Sequence, residues 1–124
     1  MIDRLDVVSI PVSDQDRAKA FYRDVLGFEE LADQQMFPQM RWVQLAPKGA
    51  ATSVTLVNWF ETMPAGSLRG LVLHTPDLEG EVARLTAAGV KTSPIEAQPW
   101  GTYVTFSDPD GNGLVLQQRP SSRP

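Results

Sequence analysis

Residues 5–14 read LDVVSIPVSD, and residues 69–77 read RGLVLHTPD. Both stretches contain a run of apolar residues that suits a strand, and both end in an aspartate. Both then continue into an amphipathic segment that ends at a glycine, Gly27 in the first half and Gly89 in the second. The chain therefore contains an internal repeat, and each copy predicts a strand, a helix cap, a helix and a glycine stop.

The first copy meets the physical requirements of each element. Residues 5–12 are rich in valine and isoleucine, which favour a half-buried strand. Ser13 or Asp14 can accept a hydrogen bond from a free amide at the start of the next helix. The helix predicted over residues 15–26 has one apolar stripe, formed by Ala18, Phe21, Tyr22, Val25 and Leu26. Gly27 ends this helix, because a left-handed backbone conformation is favourable only without a Cβ.

The second copy repeats this plan and, like the first, is followed by further strands. Pro76 stands at the helix start, where no amide hydrogen is needed. The apolar stripe of the second helix consists of Leu78, Val82 and Leu85. Three more strands are predicted in each half, at 28–36, 40–46, 52–59, 90–95, 102–107 and 113–118. The sequence thus predicts an α+β fold of two βαβββ modules that form a curved mixed β-sheet.

The length of the chain sets its organisation. A chain of 124 residues fits one domain over 1–124, because its halves would be too small to fold comfortably alone. Module one is expected over about 1–60, a linker over 61–67 and module two over about 68–118. The tail after Gln118 is expected to fray.

Composition excludes several function classes. The chain has 15 acidic and 11 basic residues, a net charge of -4 and no basic cluster, which argues against nucleic acid as a partner. It has no cysteine, which excludes disulfides, thiolate metal sites and a cysteine nucleophile. No apolar run is long enough for a signal peptide or a membrane span, so we expect a cytoplasmic protein without a membrane partner.

Three stretches resemble the vicinal oxygen chelate superfamily, which includes the glyoxalase, bleomycin resistance and dioxygenase proteins. They are FYRDVLGF at 21–28, PWG at 99–101 and FSDPDGN at 106–112. They stand in the family's order, and the resemblance covers nearly the whole chain. It implies the family's fold, a homodimer, and a cavity in the curve of a β-sheet. Because members range from metalloenzymes to antibiotic-binding proteins, the fold alone does not identify the function.

The resemblance also allows a test for a metal site. In the metal-dependent members, ligands come from four strand positions, with His or Gln early in each module and Glu late. Carried over to this chain, the early positions are Val7 and Gly70, and the late position of module two is Val115. The late position of module one is Thr55, with Val57 as the alternative. These residues offer no normal set of metal ligands, and a register shift of one residue only turns side chains to the other face. We therefore predict no metal, no other cofactor, and neither glyoxalase I nor dioxygenase chemistry.

Strand alternation predicts which side chains line the cavity. If the former metal positions face inward, then Ser9, His74 and Gln117 do so as well. Tyr103 faces inward on the strand before the acidic turn. Such a lining is mostly apolar and aromatic with a few polar groups, which suits a small organic ligand. The predicted ligand-binding residues are Ser9, Trp42, Thr55, Trp59, His74, Trp100, Tyr103 and Gln117.

Several of these residues also have a structural interpretation. His74, the single histidine, is either a general base or ligand hydrogen-bonding group, or a structural histidine bonded to backbone. The three tryptophans either stack on a planar ligand or pack in the core or a dimer interface. Arg41 either contacts an anionic ligand or is a solvated arginine. The acidic residues at 108–112 favour a tight turn over a calcium loop, because no bidentate glutamate follows them.

Two functions from different classes fit these features. The first is a binding protein that sequesters a small, partly aromatic drug or metabolite without changing it, as the bleomycin-resistance members do. Cationic bleomycin itself is not expected, because the predicted lining carries no carboxylate. The alternative is a metal-independent lyase, isomerase or hydrolase that uses His74 or Tyr103 as acid or base. A regulatory or purely structural dimer is a third interpretation.

Overall fold

The computed structural model describes residues 1–120, so the last four residues of the tail lie outside the described part. The chain divides into two compact units. Unit 1 consists of Met1–Leu68 and Pro109–Asn112, and unit 2 of Arg69–Asp108 with the chain from Gly113 onward. No helix within residues 1–120 is long and apolar enough to cross a membrane.

Unit 1 contains the first βαβββ module. Its elements are β1 (Val7–Pro11), α1 (Gln15–Ala20) with a π-helical continuation (Phe21–Val25), β2 (Glu29–Phe37), β3 (Met40–Ala46) and β4 (Ser53–Val57). The strands form one sheet in the order β1-β4-β3-β2, with β1 and β4 parallel and the other neighbours antiparallel. The module order and most strand bounds confirm the sequence-based prediction. The predicted single α-helix over 15–26 instead changes to π-helical geometry, in which Leu26 N–H donates to Phe21 O at 3.0 Å.

Unit 2 contains the second module. Its elements are β5 (Leu71–His74), α2 (Leu78–Ala87), β6 (Glu96–Gln98), β7 (Gly101–Ser107) and β8 (Gly113–Gln118). The sheet order, β5-β8-β7-β6, repeats that of unit 1, with β5 and β8 parallel. The α+β class and the two βαβββ modules are therefore confirmed, with a four-stranded mixed sheet in each.

Two predictions in the second module need correction. The strand expected at 90–95 is absent, and β6 lies at Glu96–Gln98 instead. Pro94 within the predicted segment has no N–H to donate, and only Ser93 N–H reaches β7, at 2.9 Å from Thr105 O. Pro76 does not open the helix, because Asp77 is the N-cap and Pro76 precedes it.

The aspartates at the helix starts act as predicted. The side chain of Asp14 accepts from Arg17 N–H at 3.0 Å, and that of Asp77 accepts from Gly80 N–H at 3.1 Å. The apolar stripe of each helix packs on one face of its own sheet. The buried residues on this face are Ile10, Ala18, Tyr22, Val43, Leu45 and Leu56 in unit 1, and Leu78, Leu85, Val104, Phe106, Leu114 and Leu116 in unit 2. The opposite face of each sheet is left to carry the polar and aromatic residues.

Replacing the second cap should weaken unit 2 measurably. Asp77→Ala removes the acceptor of a free helix amide, and we expect the free energy of unfolding to fall by about 1 kcal/mol. Urea unfolding followed by circular dichroism measures the change. Glu79→Gln, an exposed position in the same helical turn, is the matched control and should shift the midpoint much less. Equal shifts in the two variants would contradict a capping role for Asp77.

In the acidic turn predicted at 108–112, Pro109–Asn112 belong to unit 1. Asn112 is fully buried, its Nδ2 donates to Pro11 O at 2.8 Å, and its Oδ1 accepts from Leu68 N–H at 3.0 Å. Asp110 Oδ1 accepts from Ser13 N–H at 3.0 Å. These oxygens serve hydrogen bonds to backbone amides, which supports the tight-turn interpretation over a calcium loop.

A group of charged side chains fastens α1 to β2 and β3. Arg41 donates two hydrogen bonds to Asp33, both at 2.8 Å, and pairs with Asp16 of α1 at 2.8 Å. Lys19 of α1 donates to the same Asp33 at 2.7 Å. Arg41 is thus an ion-pair partner within unit 1, and not the freely solvated arginine that the sequence suggested.

Candidate functional site

The sheet face of unit 1 opposite α1 carries a row of polar side chains. Ser9 on β1 is paired with Thr55 on β4, and Thr55 is paired with Gln44 on β3. Paired residues in neighbouring strands present their side chains to the same face, so the three side chains lie side by side. Thr55 is buried, whereas Ser9 and Gln44 are half-buried. The row therefore has a buried centre and two accessible flanks.

Gln44 is held in place by a chain of hydrogen bonds along this face. Trp42 Nε1–H donates to Gln44 Oε1 at 2.9 Å, and Gln44 Nε2 donates to Ser53 Oγ at 2.7 Å. Ser53 Oγ in turn lies 3.3 Å from Asp6 O, which accepts its proton. The bonds fix which end of the Gln44 amide is oxygen and which is nitrogen. The second N–H of the amide makes no hydrogen bond within residues 1–120.

Three aromatic rings lie next to the polar row. The rings of Trp42 and Trp59 are stacked, with centroids 6.3 Å apart and planes inclined by 29°. Phe60 packs against Trp59 with centroids 5.9 Å apart and an inclination of 48°. Both tryptophans are half-buried, and Phe60 is exposed. Unit 1 thus combines a flat aromatic wall with oriented hydrogen-bonding groups.

Strands β3 and β4 separate beside this wall. Their pairing is limited to Gln44 with Thr55 and Leu45 with Val54, so β3 from Met40 to Val43 has no partner on β4. The buried Gln15 side chain bridges the gap from α1, because its Nε2 donates to Arg41 O at 2.7 Å and to Leu56 O at 2.9 Å. This bridge satisfies two carbonyls, one on β3 and one on β4, where the two strands are not paired with each other.

The Thr55 hydroxyl is a buried group that this network does not reach. Thr55 is 1% exposed, and its Oγ1 has no hydrogen-bond partner among residues 1–120. Buried side-chain oxygens are normally hydrogen-bonded, because removal from water without a new partner costs free energy. The centre of the row is therefore a hydroxyl with unused hydrogen-bonding capacity.

In unit 2, the sheet face opposite α2 carries a longer polar row. His74 on β5 pairs with Gln117 on β8, Gln117 pairs with Tyr103 on β7, and Tyr103 pairs with Glu96 on β6. Four polar side chains thus cross the whole sheet on one face. Val72 lies two residues before His74 on β5, so its 54% exposed side chain is on the same face and is apolar.

Tyr103 and Glu96 are bonded to each other within this row. Tyr103 Oη donates to Glu96 Oε2 at 2.6 Å. The hydrogen bond to the Glu96 carboxylate, with some help from desolvation, raises the pKa of Tyr103 above its ordinary value. Tyr103 therefore keeps its proton at neutral pH and is suited to donate a hydrogen bond, not to act as a base.

His74 stands at the other end of the row. Its imidazole is exposed and makes no hydrogen bond or ion pair with any side chain or backbone group of residues 1–120. The structural interpretation, in which the ring is bonded to backbone, is therefore not what the structure shows. No carboxylate orients the ring either, which a general base normally requires.

Trp100 lies apart from the other tryptophans. It is 56% exposed in the turn before β7 and makes no ring contact within the described part of the chain. The eight predicted ligand-binding residues therefore fall into two sets. Ser9, Trp42, Thr55 and Trp59 lie in unit 1, while His74, Trp100, Tyr103 and Gln117 lie in unit 2.

The four positions carried over from the metal-dependent members do not fit a metal ion. Val7 and Val115 have hydrocarbon side chains, and Thr55 offers a single neutral hydroxyl. Gly70 has a φ of +77°, a conformation that residues with side chains rarely adopt. Within residues 1–120, no three His, Cys, Asp or Glu side chains are grouped to hold an ion.

Sequence reasoning missed Gln44 and Gln15. Gln44 lies two residues after Trp42 on β3, and strand alternation puts both side chains on one face, so a signal for Gln44 was present in the sequence. Gln15 follows the cap residue and had no comparable signal, because its partners are 26 and 41 residues away along the chain.

Comparison with known proteins agrees with this architecture. The sequence pattern of the Glyoxalase/Bleomycin resistance protein/Dioxygenase superfamily matches residues 4–116. Among curated proteins, the uncharacterized protein YetH of Bacillus subtilis (strain 168) is 34% identical over 122 residues, which are 95% of this chain and 100% of YetH.

Two solved structures from Streptomyces sp. CB03234 are more similar in sequence. TnmS3, described as an antibiotic binding protein, is 50% identical with a TM-score of 0.93, over 96% of this chain and 98% of TnmS3. A glyoxalase/bleomycin resistance protein is 51% identical with a TM-score of 0.86, over 93% of this chain and 100% of the other.

Proposed function

Because this chain belongs to the Glyoxalase/Bleomycin resistance protein/Dioxygenase superfamily, we propose that it binds a small, partly aromatic organic molecule and releases it unchanged. The observation that carries the proposal is the stacked pair of Trp42 and Trp59 beside the polar row of unit 1. The biological role would be the sequestration of a drug or metabolite.

The geometry of the aromatic wall supports a planar ligand. Two indole rings inclined by only 29° present broad, rigid apolar surface at low conformational cost. Trp42 is held by its bond to Gln44, so this ring is already oriented before a ligand arrives. The polar groups next to the wall would fix the orientation of the ligand.

Similarity to TnmS3 supports the same class of function. TnmS3 is described as antibiotic binding, and it is 50% identical to this chain over nearly the full length of both. The chemistry of the former metal positions agrees with binding, since valine, glycine and threonine at these positions cannot form the ligand set of the family's metalloenzymes. We therefore derive no metal-assisted step.

Removal of Trp59 from the aromatic wall should weaken binding. We expect Trp59→Ala to raise the Kd for a planar aromatic compound by about tenfold, because stacking area is removed while Trp42 stays bonded to Gln44. Equilibrium dialysis against 9-fluorenone and a panel of planar aromatic antibiotics measures Kd. Thermal shift of the same mixtures gives an independent readout.

The control is Leu31→Ala, an exposed apolar residue of β2 outside the wall. It should leave the Kd unchanged. Mass spectrometry of the recovered compound should find the starting mass. If no compound of the panel binds, or if Leu31→Ala and Trp59→Ala weaken binding equally, the proposed function is wrong.

The enzyme alternative is a metal-independent lyase, isomerase or hydrolase that uses His74 or Tyr103. The row from His74 to Glu96 in unit 2 favours it, because it places an imidazole and a phenol on one sheet face. Because the Tyr103 hydroxyl already donates to Glu96, this residue fits the role of a proton donor better than that of a base. A product of altered mass that no longer forms in His74→Ala would support the enzyme over the binding protein.

The quaternary structure and location belong to the same proposal. We propose a homodimer in the cytoplasm, with residues 1–124 acting as one glyoxalase-like domain. Exposed apolar side chains on unit 1, including Met36 at 51% and Phe37 at 63%, support an interface with a second copy.

A further inference from the structure

The centre of the polar row in unit 1 points to the chemistry of the ligand. We infer that Thr55, flanked by Ser9 and Gln44, is a subsite for an uncharged oxygen of the ligand, of the carbonyl or hydroxyl type. This inference rests on the proposed function, since it describes the polar end of the same aromatic-binding face. It gives a hydrogen-bonding role to a position that corresponds to a metal ligand in the metal-dependent members of the superfamily.

The hydroxyl of Thr55 has no structural role within the described residues. The residue is 1% exposed, and its Oγ1 has no partner among the described residues. Valine has nearly the same shape and would fill the same volume of a β-strand without burying a polar group. The hydroxyl therefore lowers the stability of the free chain, and packing alone gives no reason for it.

The groups beside the Thr55 hydroxyl are hydrogen-bond donors. Ser9 and Gln44 are its neighbours in the row, and both are half-buried, so the row can be reached from outside on either side. Gln44 has one N–H left after its bond to Ser53, and the Ser9 hydroxyl makes no bond within residues 1–120. All three side chains can donate a hydrogen bond, so the row offers donors to an oxygen acceptor placed against Thr55.

The uncharged surroundings of Thr55 favour an uncharged ligand group. The row and the bonded chain through Trp42 and Ser53 contain no ionisable side chain. A charged group that approaches a buried hydroxyl loses its hydration, and without a counter-ion no ion pair compensates for that cost in free energy. A carbonyl or hydroxyl oxygen accepts the same hydrogen bonds without that penalty, so the subsite selects neutral oxygen.

The test uses two planar compounds that differ at one position, 9-fluorenone with a carbonyl and fluorene without it. Equilibrium dialysis of the full chain should give a Kd for fluorenone about tenfold below that for fluorene. In Thr55→Val, the two Kd values should come within about twofold of each other, because the acceptor loses its central donor. The matched control is Thr102→Val. Thr102 is half-buried on β7 of unit 2, where its side chain shares the α2 side of the sheet with Val104, and this variant should keep the wild-type ratio.

The melting temperature of the free protein gives a readout that needs no ligand. Thr55→Val should raise it by about 2–4 °C, because the variant no longer buries an unbonded hydroxyl. A lower melting temperature would show that the hydroxyl has a partner in the fold, and this would overturn the inference. Equal binding of fluorenone and fluorene would overturn it as well while leaving the aromatic-binding function in place. If neither compound binds, the proposed function fails, and the inference fails with it.

Discussion

Asn112→Ala should lower the free energy of unfolding by about 3 kcal/mol, the largest effect that we expect from a single substitution in this chain. The Asn112 amide is fully buried and bonds to two backbone groups, Pro11 O at 2.8 Å and Leu68 N–H at 3.0 Å. Alanine would leave a buried carbonyl and a buried amide without partners and would open a small cavity. Each of these losses alone is substantial, and they act together at one place.

Urea unfolding followed by tryptophan fluorescence measures this effect as a fall in the midpoint of more than about 1 M. The control is Pro109→Ala, an exposed residue of the same turn, which should shift the midpoint only slightly. A second variant, Asn112→Asp, keeps the shape and the acceptor but loses the donor to Pro11 O. We expect Asn112→Asp to be destabilised too. A fall of less than about 1 kcal/mol in Asn112→Ala would contradict the role assigned to this amide.

The local elements of the fold could be predicted because their causes are local. The caps at Asp14 and Asp77 bond to amides three residues ahead, and the stops at Gly27 and Gly89 have φ values of +80° and +87°. These features follow from residue type and spacing within a few positions. Because the same pattern of strand, cap, helix and glycine occurs in both halves of the chain, the βαβββ order was predictable from the sequence.

The features that escaped prediction depend on distant partners. The bond from Asn112 to Pro11 O spans 101 residues, and nothing near Asn112 in the sequence indicates it. The π-helical segment Phe21–Val25 keeps the apolar spacing of an α-helix, so hydrophobic periodicity does not reveal it. β6 was misplaced because its three residues, Glu96–Gln98, carry neither an apolar alternation nor buried side chains.

The candidate site could be predicted in part for the same reason. Strand alternation correctly put Ser9 and Thr55 on one face, because a period of two follows from strand geometry alone. Alternation cannot say which tryptophans meet, and the stacking of Trp42 on Trp59 depends on how the chain leaves β4. Likewise, no pattern predicts that Thr55 Oγ1 is left without a partner, since this requires knowledge of every neighbouring group.

Asp33→Asn should give the second largest loss of stability, and the loss should depend on pH. Hydrogen bonds from Arg41, and then from Lys19, hold the pKa of the Asp33 carboxyl well below its usual range. The side chain of Asp33 is 19% exposed, so solvent weakens these interactions only in part. At about pH 7 we expect a loss of about 1–2 kcal/mol, because asparagine keeps the shape but removes the charge that joins α1 to β2 and β3.

The pH dependence of this loss follows from the lowered pKa of Asp33 in the folded chain. In the unfolded chain the carboxyl binds a proton near its ordinary pKa of about 3.9, whereas in the folded chain it does so only at much lower pH. The stabilisation is therefore complete above about pH 5 and fades as the pH falls below about 4 towards the lowered value. Urea unfolding of the wild type and Asp33→Asn across this range should give curves that converge at low pH. Asp24→Asn removes an exposed carboxyl whose one ion-pair partner within residues 1–120 is the adjacent Arg23, and this variant should follow the wild type throughout. A difference between wild type and Asp33→Asn that stays constant down to about pH 2.5 would mean that packing of the side chain, and not its charge, holds the helix to the strands.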